Sequence, residues 1–425
     1  MNTWLVRSLA LFFLLSPFSA SALDYQLSGH LRGQGVWAWY PDNHFLTQQE
    51  DSQYFFDGSI DLRVNNDFFL TDQVSFEVAY EAAGSGGQSR SAQSKLPPGG
   101  GFGPLFATTL PSDDRQLFDL TKVFIDENAY SVYHRIDRLV LSVDTDYGLV
   151  KLGRQPLTWG NGLVFNPADL INPFAPTDII RDYKTGTDML LYQVGGGVFT
   201  DLQLVFVPRR NPENNKVEGE LATFGSKVRV SGNELDFDLF ALRNYEDTVV
   251  GAGLTGFLGG AVYRTDWTVT FLKDDPDRQQ YLSAVANLDY SWMLRDTNWY
   301  GSLEIYYNGI GADNPGEVAE DPALVERLFR GELFVTGRWY LDTVLQYEAH
   351  PLISCFVSMI LNLKDQSFLL QPRLVWDMTQ STQLLTGVNL PVGGSGDEFG
   401  ERENPATGTV TGPAVQGYVV VTWFF

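Results

Sequence analysis

One cysteine, Cys355, stands in 425 residues. A single thiol excludes an intramolecular disulfide framework, so stability has to come from a hydrogen-bond ladder and its packing. Histidine is almost as scarce. His30, His44, His134 and His350 are scattered, and none stands in a nucleophile motif, which argues against a hydrolase. Basic residues are few, 29 Lys and Arg against 52 Asp and Glu, and the formal net charge of −23 argues against nucleic acid or anionic lipid as a ligand. Long apolar runs are missing as well. No segment after the first residues approaches the ~20 apolar residues that a membrane-crossing helix needs. The acidic stretches Asp113-Asp114 and Asp274-Asp275-Pro276-Asp277 lack a spaced cation-loop signature and read as solvated loops. Neither a metal nor a cofactor is expected.

What the chain does contain points to export. Arg7 precedes an apolar run from Leu9 to Leu15, followed by Ala20-Ser21-Ala22 with small residues where a signal peptidase reads. This predicts a signal peptide over 1–22 and a mature chain of 23–425. Aromatics at 14%, 41 glycines and the absence of helical periodicity fit one large closed sheet better than several soluble domains. The first strand begins near Tyr25, which leaves no room for an N-terminal plug domain.

Alternation supplies the strands and their faces. Ile60, Leu62 and Val64 oppose Ser59, Asp61, Arg63 and Asn65; Leu235, Phe237 and Leu239 oppose Glu234, Asp236 and Asp238; Phe368, Leu370 and Leu374 oppose Gln371, Arg373 and Asp377. Charge on the inner face means a wet interior, which separates a water-filled barrel from a sandwich with an apolar core. Tight turns are expected at 70–72, 144–148, 231–233, Thr265-Asp266 and 377–381. Long loops are expected at 84–130, 157–187, 209–219, 309–330 and 392–414. Short turns on one side and long loops on the other are the asymmetry of an outer-membrane barrel. The segment count gives an antiparallel up-and-down transmembrane β-barrel of 18 strands, with 16 as the alternative. Alternation is poor over 131–144, 187–196 and 331–349. Within the loop 309–330, Asp321-Pro322 followed by Ala-Leu-Val-Glu-Arg-Leu-Phe-Arg predicts a short helix over 322–330, with an Asp cap, Pro at the first turn and a Glu326 to Arg330 pair. Leu324, Leu328 and Phe329 would need a surface to pack on.

The last residues, Val415 to Phe425, place Val419, Val421, Trp423 and Phe425 on one face and Gln416, Tyr418 and Thr422 on the other. This resembles the C-terminal signature strand of bacterial outer-membrane barrels. The resemblance implies an outer-membrane location in a Gram-negative cell, lipid and lipopolysaccharide as surroundings, and recognition of Phe425 by the barrel-insertion machinery.

Residues 151–178 are the most informative stretch. Pro156 ends a strand, and about thirty residues pass before the next; a loop of that length is functional or disordered. Trp159, Phe165, Leu170, Ile171 and Phe174 are too apolar to leave in water, and Pro167, Pro173 and Pro176 stiffen the segment, so it should pack on the inner wall. Asn166-Pro167 and Asn172-Pro173 read as turn formers. The form Gly-Arg-Gln, Trp-Gly-x-Gly, Asn-Pro-x-Asp-Leu-x-Asn-Pro-Phe resembles the constriction loop of porins and a porin-like, alginate-export-like group of proteobacterial outer-membrane barrels. That resemblance implies a constriction loop at 157–187 and an eyelet role for Arg154. Candidate pore residues are Lys151, Arg154, Trp159, Asp169, Asp178, Arg181, Asp182 and Lys184, with Asp188 a further anion. Strict alternation sends Arg154 toward lipid with Val150 and Leu152; either a bulge at Gly153 turns it inward, the preferred reading, or Lys151 is the lumenal charge.

The function expected is a porin-like channel for passive diffusion of small polar or charged solutes, as a monomer or a homo-oligomer, with no enzymatic activity. The alternative is a plugged barrel serving an export or lipid-transfer system.

Overall fold

The computed structural model describes residues 24–95, 110–176, 180, 183–196, 199–273, 275, 278–403 and 408–425. The expected signal peptide lies outside the described residues. Eighteen antiparallel strands close into one barrel. The first six are β1 (Asp24–Trp39), β2 (Tyr54–Thr71), β3 (Val74–Gly87), β4 (Tyr130–Thr145), β5 (Gly148–Gln155) and β6 (Thr187–Gly196). The next six are β7 (Phe199–Val207), β8 (Thr223–Ser231), β9 (Leu235–Asn244), β10 (Asp247–Leu258), β11 (Ala261–Phe271) and β12 (Gln280–Leu294). The last six are β13 (Thr297–Asn308), β14 (Trp339–His350), β15 (Ile353–Asn362), β16 (Phe368–Thr379), β17 (Thr382–Val392) and β18 (Val415–Phe424). Each strand pairs with its sequence neighbours, and β18 returns to β1 with His30 opposite Phe424 and Trp39 opposite Val415. Phe425 completes the seam by exchanging backbone hydrogen bonds of 2.9 and 3.1 Å with Gly29. Closure leaves no unpaired edge in the membrane.

The faces follow the expected parity. Ile60, Leu62, Leu235, Phe237, Leu239, Val419, Val421 and Trp423 are exposed on the outside, whereas Arg63, Asp238, Gln371, Tyr418 and Thr422 are buried within. Aromatics stand at both ends of the outer band. Trp37 and Trp39 lie toward the long loops, and Trp292 stacks on Trp299 at 6.2 Å beside the tight turn joining β12 to β13. Such girdles sit at headgroup level.

Four expectations need correction. The segment 84–130 is not all loop: β3 runs to Gly87, a helix covers Gln88–Ser94, and a short strand, Thr121–Asp126, pairs with β4 beyond the end of β5. The Gly-Ser-rich start of that segment is expected to be loop, but pairing with β2 over residues 57–60 holds 84–87 as strand. Thr265-Asp266 is no turn, because β11 passes straight through it and the chain reverses at Gly259-Gly260 instead. The helix forms over Pro322–Phe329 as read, with the Asp321 carboxylate accepting from Leu324 N–H at 3.1 Å. Leu324 and Leu328 bury against Ile310, but Phe329 is 66% exposed and does not join their cluster.

Fourth, no bulge occurs at Gly153. The β4–β5 register runs unbroken from Gly148 to Arg154. Gly153 instead adopts φ +126°, which reverses the alternation: Leu152 faces out at 54% exposure, and Arg154, 3% exposed, points inward. The extra residue is on the facing strand, where the β3 pairing skips Asp137. A Cβ on Gly153 would meet the Leu139 carbonyl oxygen at 1.9 Å. Gly153→Ala is therefore expected to lower the unfolding midpoint sharply, since backbone strain alone costs roughly 1–3 kcal/mol before the clash is counted. Heat-modifiable mobility on gels, which reports folded barrel, checks it.

Candidate functional site

The long loop between β5 and β6 crosses the lumen. Its first half is tied to the wall formed by β7 to β13. Trp159 donates from Nε1 to Gln203 Oε1 at 2.8 Å; Asn161 donates from its backbone N–H to Asp266 Oδ2 at 2.6 Å and from Nδ2 to Asp266 Oδ1 at 2.8 Å. The Glu304 carboxylate on β13 receives three consecutive backbone N–H groups, Leu163 at 2.7, Val164 at 3.1 and Phe165 at 2.7 Å. Phe165 stacks on Tyr306 with ring centroids 4.6 Å apart.

Its second half reaches the wall on the other side. Tyr183 Oη donates to Glu81 on β3 at 2.7 Å, the Arg63 guanidinium of β2 covers the Tyr183 ring at 3.9 Å, and Arg32 of β1 donates to the Ile180 carbonyl at 2.9 Å. Gly186 N–H reaches Asp137 of β4 at 3.1 Å. β2 and β11 are nine strands apart in a ring of eighteen, so the loop spans a diameter.

The apolar residues of the loop bury where the wall is apolar. Leu157, Trp159 and Ala168 join Met189, Leu191, Val205, Val207, Phe240, Leu242 and Val249, with Leu170 and Ile171 against them. This explains the poor alternation over 187–196: Met189 and Leu191 face inward yet are apolar, because the loop covers them. At the loop base, buried Asn172 accepts from Leu157 N–H at 3.0 Å and donates to Thr187 Oγ1 at 2.7 Å and the Thr185 carbonyl at 3.0 Å. It is a staple across the loop, more than the turn former its Pro neighbour suggested. Asn166 does make a turn, its carbonyl accepting from Asp169 N–H at 3.1 Å.

The sequence-derived pore residues that fall among the described residues each have a definite place. Arg154 uses its fork on Asp188, with Nε to Oδ1 at 2.9 Å and Nη2 to Oδ2 at 3.0 Å, on Asp113 through Nη1 at 2.9 Å, and on the Phe118 carbonyl at 2.7 Å. Two carboxylates and full burial leave it no free donor face, so it pins the segment 110–120 over β5 and β6. Lys151 sits half-buried on the inner face, opposite in parity to Leu152, in electrostatic reach of Glu77. Trp159 is enclosed between loop and wall. Lys184 donates to Asp169 and, at 2.8 Å, to Thr158 Oγ1. Asp178, Arg181 and Asp182 lie outside the described residues.

Cavities with charged residues in their walls flank the loop. One of about 860 Å³ is lined by Arg32, Asp61, Glu81, Tyr133, Arg135 and Tyr183. Another of about 420 Å³ is lined by Asp169, Lys184, Asp342, Ser358, Gln371 and Arg373. A third, of about 440 Å³, collects Arg115, Arg209 and Arg330 around Tyr245, with Arg209 and Arg330 guanidinium carbons 4.4 and 4.0 Å from the ring centroid. Groups of both signs line these cavities despite the acidity of the whole chain.

Among the described carboxylates of the loop, Asp169 is shifted by its surroundings. Burial pushes its carboxyl up to about 6, against the Lys184 and Lys227 ammonium groups, which lower it. As pH falls through 6 the Lys184 charge loses its counterion, so the crossing gains positive charge. The folded chain also binds this proton before the unfolded chain does, so the group opposes folding above pH 6 and ceases to do so toward pH 4.

Sequence reasoning missed Glu304, Asp266, Asn161, Asp137 and Asp113. The acids on strands looked like any inward carboxylate of a wet barrel; what distinguishes them is a loop amide, arriving from more than a hundred residues away at Asp266 and Glu304 and from 49 residues away at Asp137.

No family model matches the chain, and no curated protein matches it. Solved structures of outer-membrane porins do. OccAB3 of Acinetobacter baumannii matches over 95% of this chain and 99% of that one, at 9% identity and TM-score 0.54. OccAB1 of the same organism matches over 96% and 98%, at 9% identity and TM-score 0.53. OccK5 (OpdH) of Pseudomonas aeruginosa matches over 95% and 98%, at 9% identity and TM-score 0.52. At these identities the likeness is one of fold, a closed β-barrel, which in this chain has 18 antiparallel strands.

Proposed function

We propose that the protein is an outer-membrane channel for passive diffusion of small polar or charged solutes, narrowed by the loop between β5 and β6 and delivered to the membrane after loss of residues 1–22. The observation that carries this reading is the loop's course from Asp266 and Glu304 on one wall to Arg63 and Glu81 on the other, with cavities that hold charged residues kept on both flanks. In such a channel selectivity is electrostatic, set by charges at the narrowest section. Lys184 and Asp169 supply a separable pair there. Contacts with lipid and lipopolysaccharide, reading of Phe425 by the insertion machinery and assembly into homo-oligomers belong to the same proposal.

The test is single-channel recording of refolded protein in a planar bilayer with a salt gradient. Discrete steps are expected, with the reversal potential moving toward anion preference as pH drops from 7.5 to 5. Asp169→Asn should sit at the acid value throughout, because its Lys184 partner is uncovered at every pH. The alternative, a plugged barrel in an export or lipid-transfer system, draws on the burial of Leu157, Trp159 and Ala168 against the wall. A silent bilayer from correctly folded protein decides for it.

A further inference from the structure

In the cavity of about 420 Å³, one carboxylate is out of balance. Asp342 on β14 is 1% exposed, and neither of its carboxylate oxygens has a hydrogen-bond partner. Its cross-strand neighbour on β13 is Glu304. Like charges directly opposite in a sheet repel, and a buried carboxylate without donors is costly, so this pair calls for a cation. Glu304 has its own partners, three loop N–H groups and Asn287 Nδ2 at 3.1 Å. Asp342 faces the cavity, with Arg373 in electrostatic reach but no cation within ion-pair distance among the described residues. The protein cations that line the same space are held elsewhere: Lys184 on Asp169 and Thr158, and Arg373 against the Phe356 ring at 4.6 Å with one hydrogen bond to Ser358 Oγ at 3.2 Å. Arg373 in turn has no carboxylate within ion-pair distance among the described residues.

We propose that Asp342 and Arg373 form a binding subsite for a dipolar solute, an aliphatic molecule with a primary ammonium at one end and a carboxylate at the other. The ammonium docks at Asp342, relieving the repulsion from Glu304. The carboxylate docks at Arg373, whose fork suits it. Two unpaired charges of opposite sign on one wall of one cavity match such a solute better than a simple cation or a simple anion.

The inference rests on the channel reading, so binding and conduction are measured separately. Full mature protein folded in detergent is titrated calorimetrically with 5-aminopentanoate, with pentylammonium and pentanoate as single-charge probes, and the same preparation is recorded in bilayers. Saturable binding of 5-aminopentanoate is expected, at least tenfold tighter than of pentanoate. Asp342→Asn should weaken it tenfold or more and Asp342→Glu should retain most of it, while Arg373→Gln should erase the preference for 5-aminopentanoate over pentylammonium. The Asn variant is isosteric and removes a repulsive charge, so its barrel should fold; gel mobility confirms this. Equal binding by wild type and Asp342→Asn, as when Asp342 simply holds a proton, overturns the subsite. Conductance without such binding sinks the subsite alone. Binding without conductance sinks the open channel and leaves the subsite standing.

Discussion

Replacing Glu304 by alanine is expected to raise single-channel conductance several-fold and make it noisy. The carboxylate, 1% exposed, holds three consecutive loop N–H groups at 2.7–3.1 Å and thereby places Phe165 on Tyr306. Hydrogen bonds to a charged acceptor contribute roughly 1.5–3 kcal/mol each, so even with poor additivity the docking loses about 3–5 kcal/mol. Nothing else described replaces that acceptor at the loop tip. The apolar contacts of Leu157 and Trp159 lie nearer the loop base, so the tip should swing while the base holds. Glu304→Gln keeps an acceptor oxygen and should fall between the two. Thermal unfolding distinguishes the cases: a loop that undocks leaves the barrel ladder intact, so the main transition should move little. Wild-type conductance in Glu304→Ala would show that the loop is not what narrows the lumen.

The second large effect is expected at Arg154, and it is one of stability. Its guanidinium is the only partner described that neutralises both Asp188, 1% exposed in its side chain, and Asp113. Removing one member of a buried pair strands the other, at a cost of about 3–5 kcal/mol. Arg154→Ala should therefore lower the denaturation midpoint and free the segment 110–120, whose Phe118 carbonyl and N–H are both tied to the same cluster. Arg154→Lys should rescue little, since a single ammonium cannot satisfy the two-pronged contact with Asp188 and the Asp113 bond together. Ion selectivity should change less than stability. A reversal potential that swings with the midpoint unmoved would instead make Arg154 an exposed pore charge, as its place in a porin-like Gly-Arg dipeptide suggested.

These two residues mark the boundary of what could be read from the chain. Strand number and parity were legible because they rest on local alternation: Ile60 to Asn65, Leu235 to Leu239 and the final Val-Val-Trp-Phe face each need only the period of a strand. The Asp321-Pro322 cap and the helix after it are equally local. Where alternation failed, tertiary structure supplied the missing reason. Met189 and Leu191 are apolar on an inner face because a loop covers them, and β4 breaks pattern where Asp137 is the extra residue.

By itself the sequence determined an even-stranded barrel with a wet interior, short turns at one end and an apolar, Pro-stiffened loop that had to fold inward. Only the tertiary structure decided which charges meet. Arg154 looks outward by counting and points inward because Gly153 takes a φ that other residues avoid. Glu304 and Asp342 are indistinguishable as acids on alternating strands, yet one is filled by loop amides and the other is left empty. Hydrogen bonds and ion pairs act over about three ångströms, and bringing residues 161 and 266, or 165 and 304, to that distance depends on barrel closure and on the loop's course across it. No local pattern encodes such a distance.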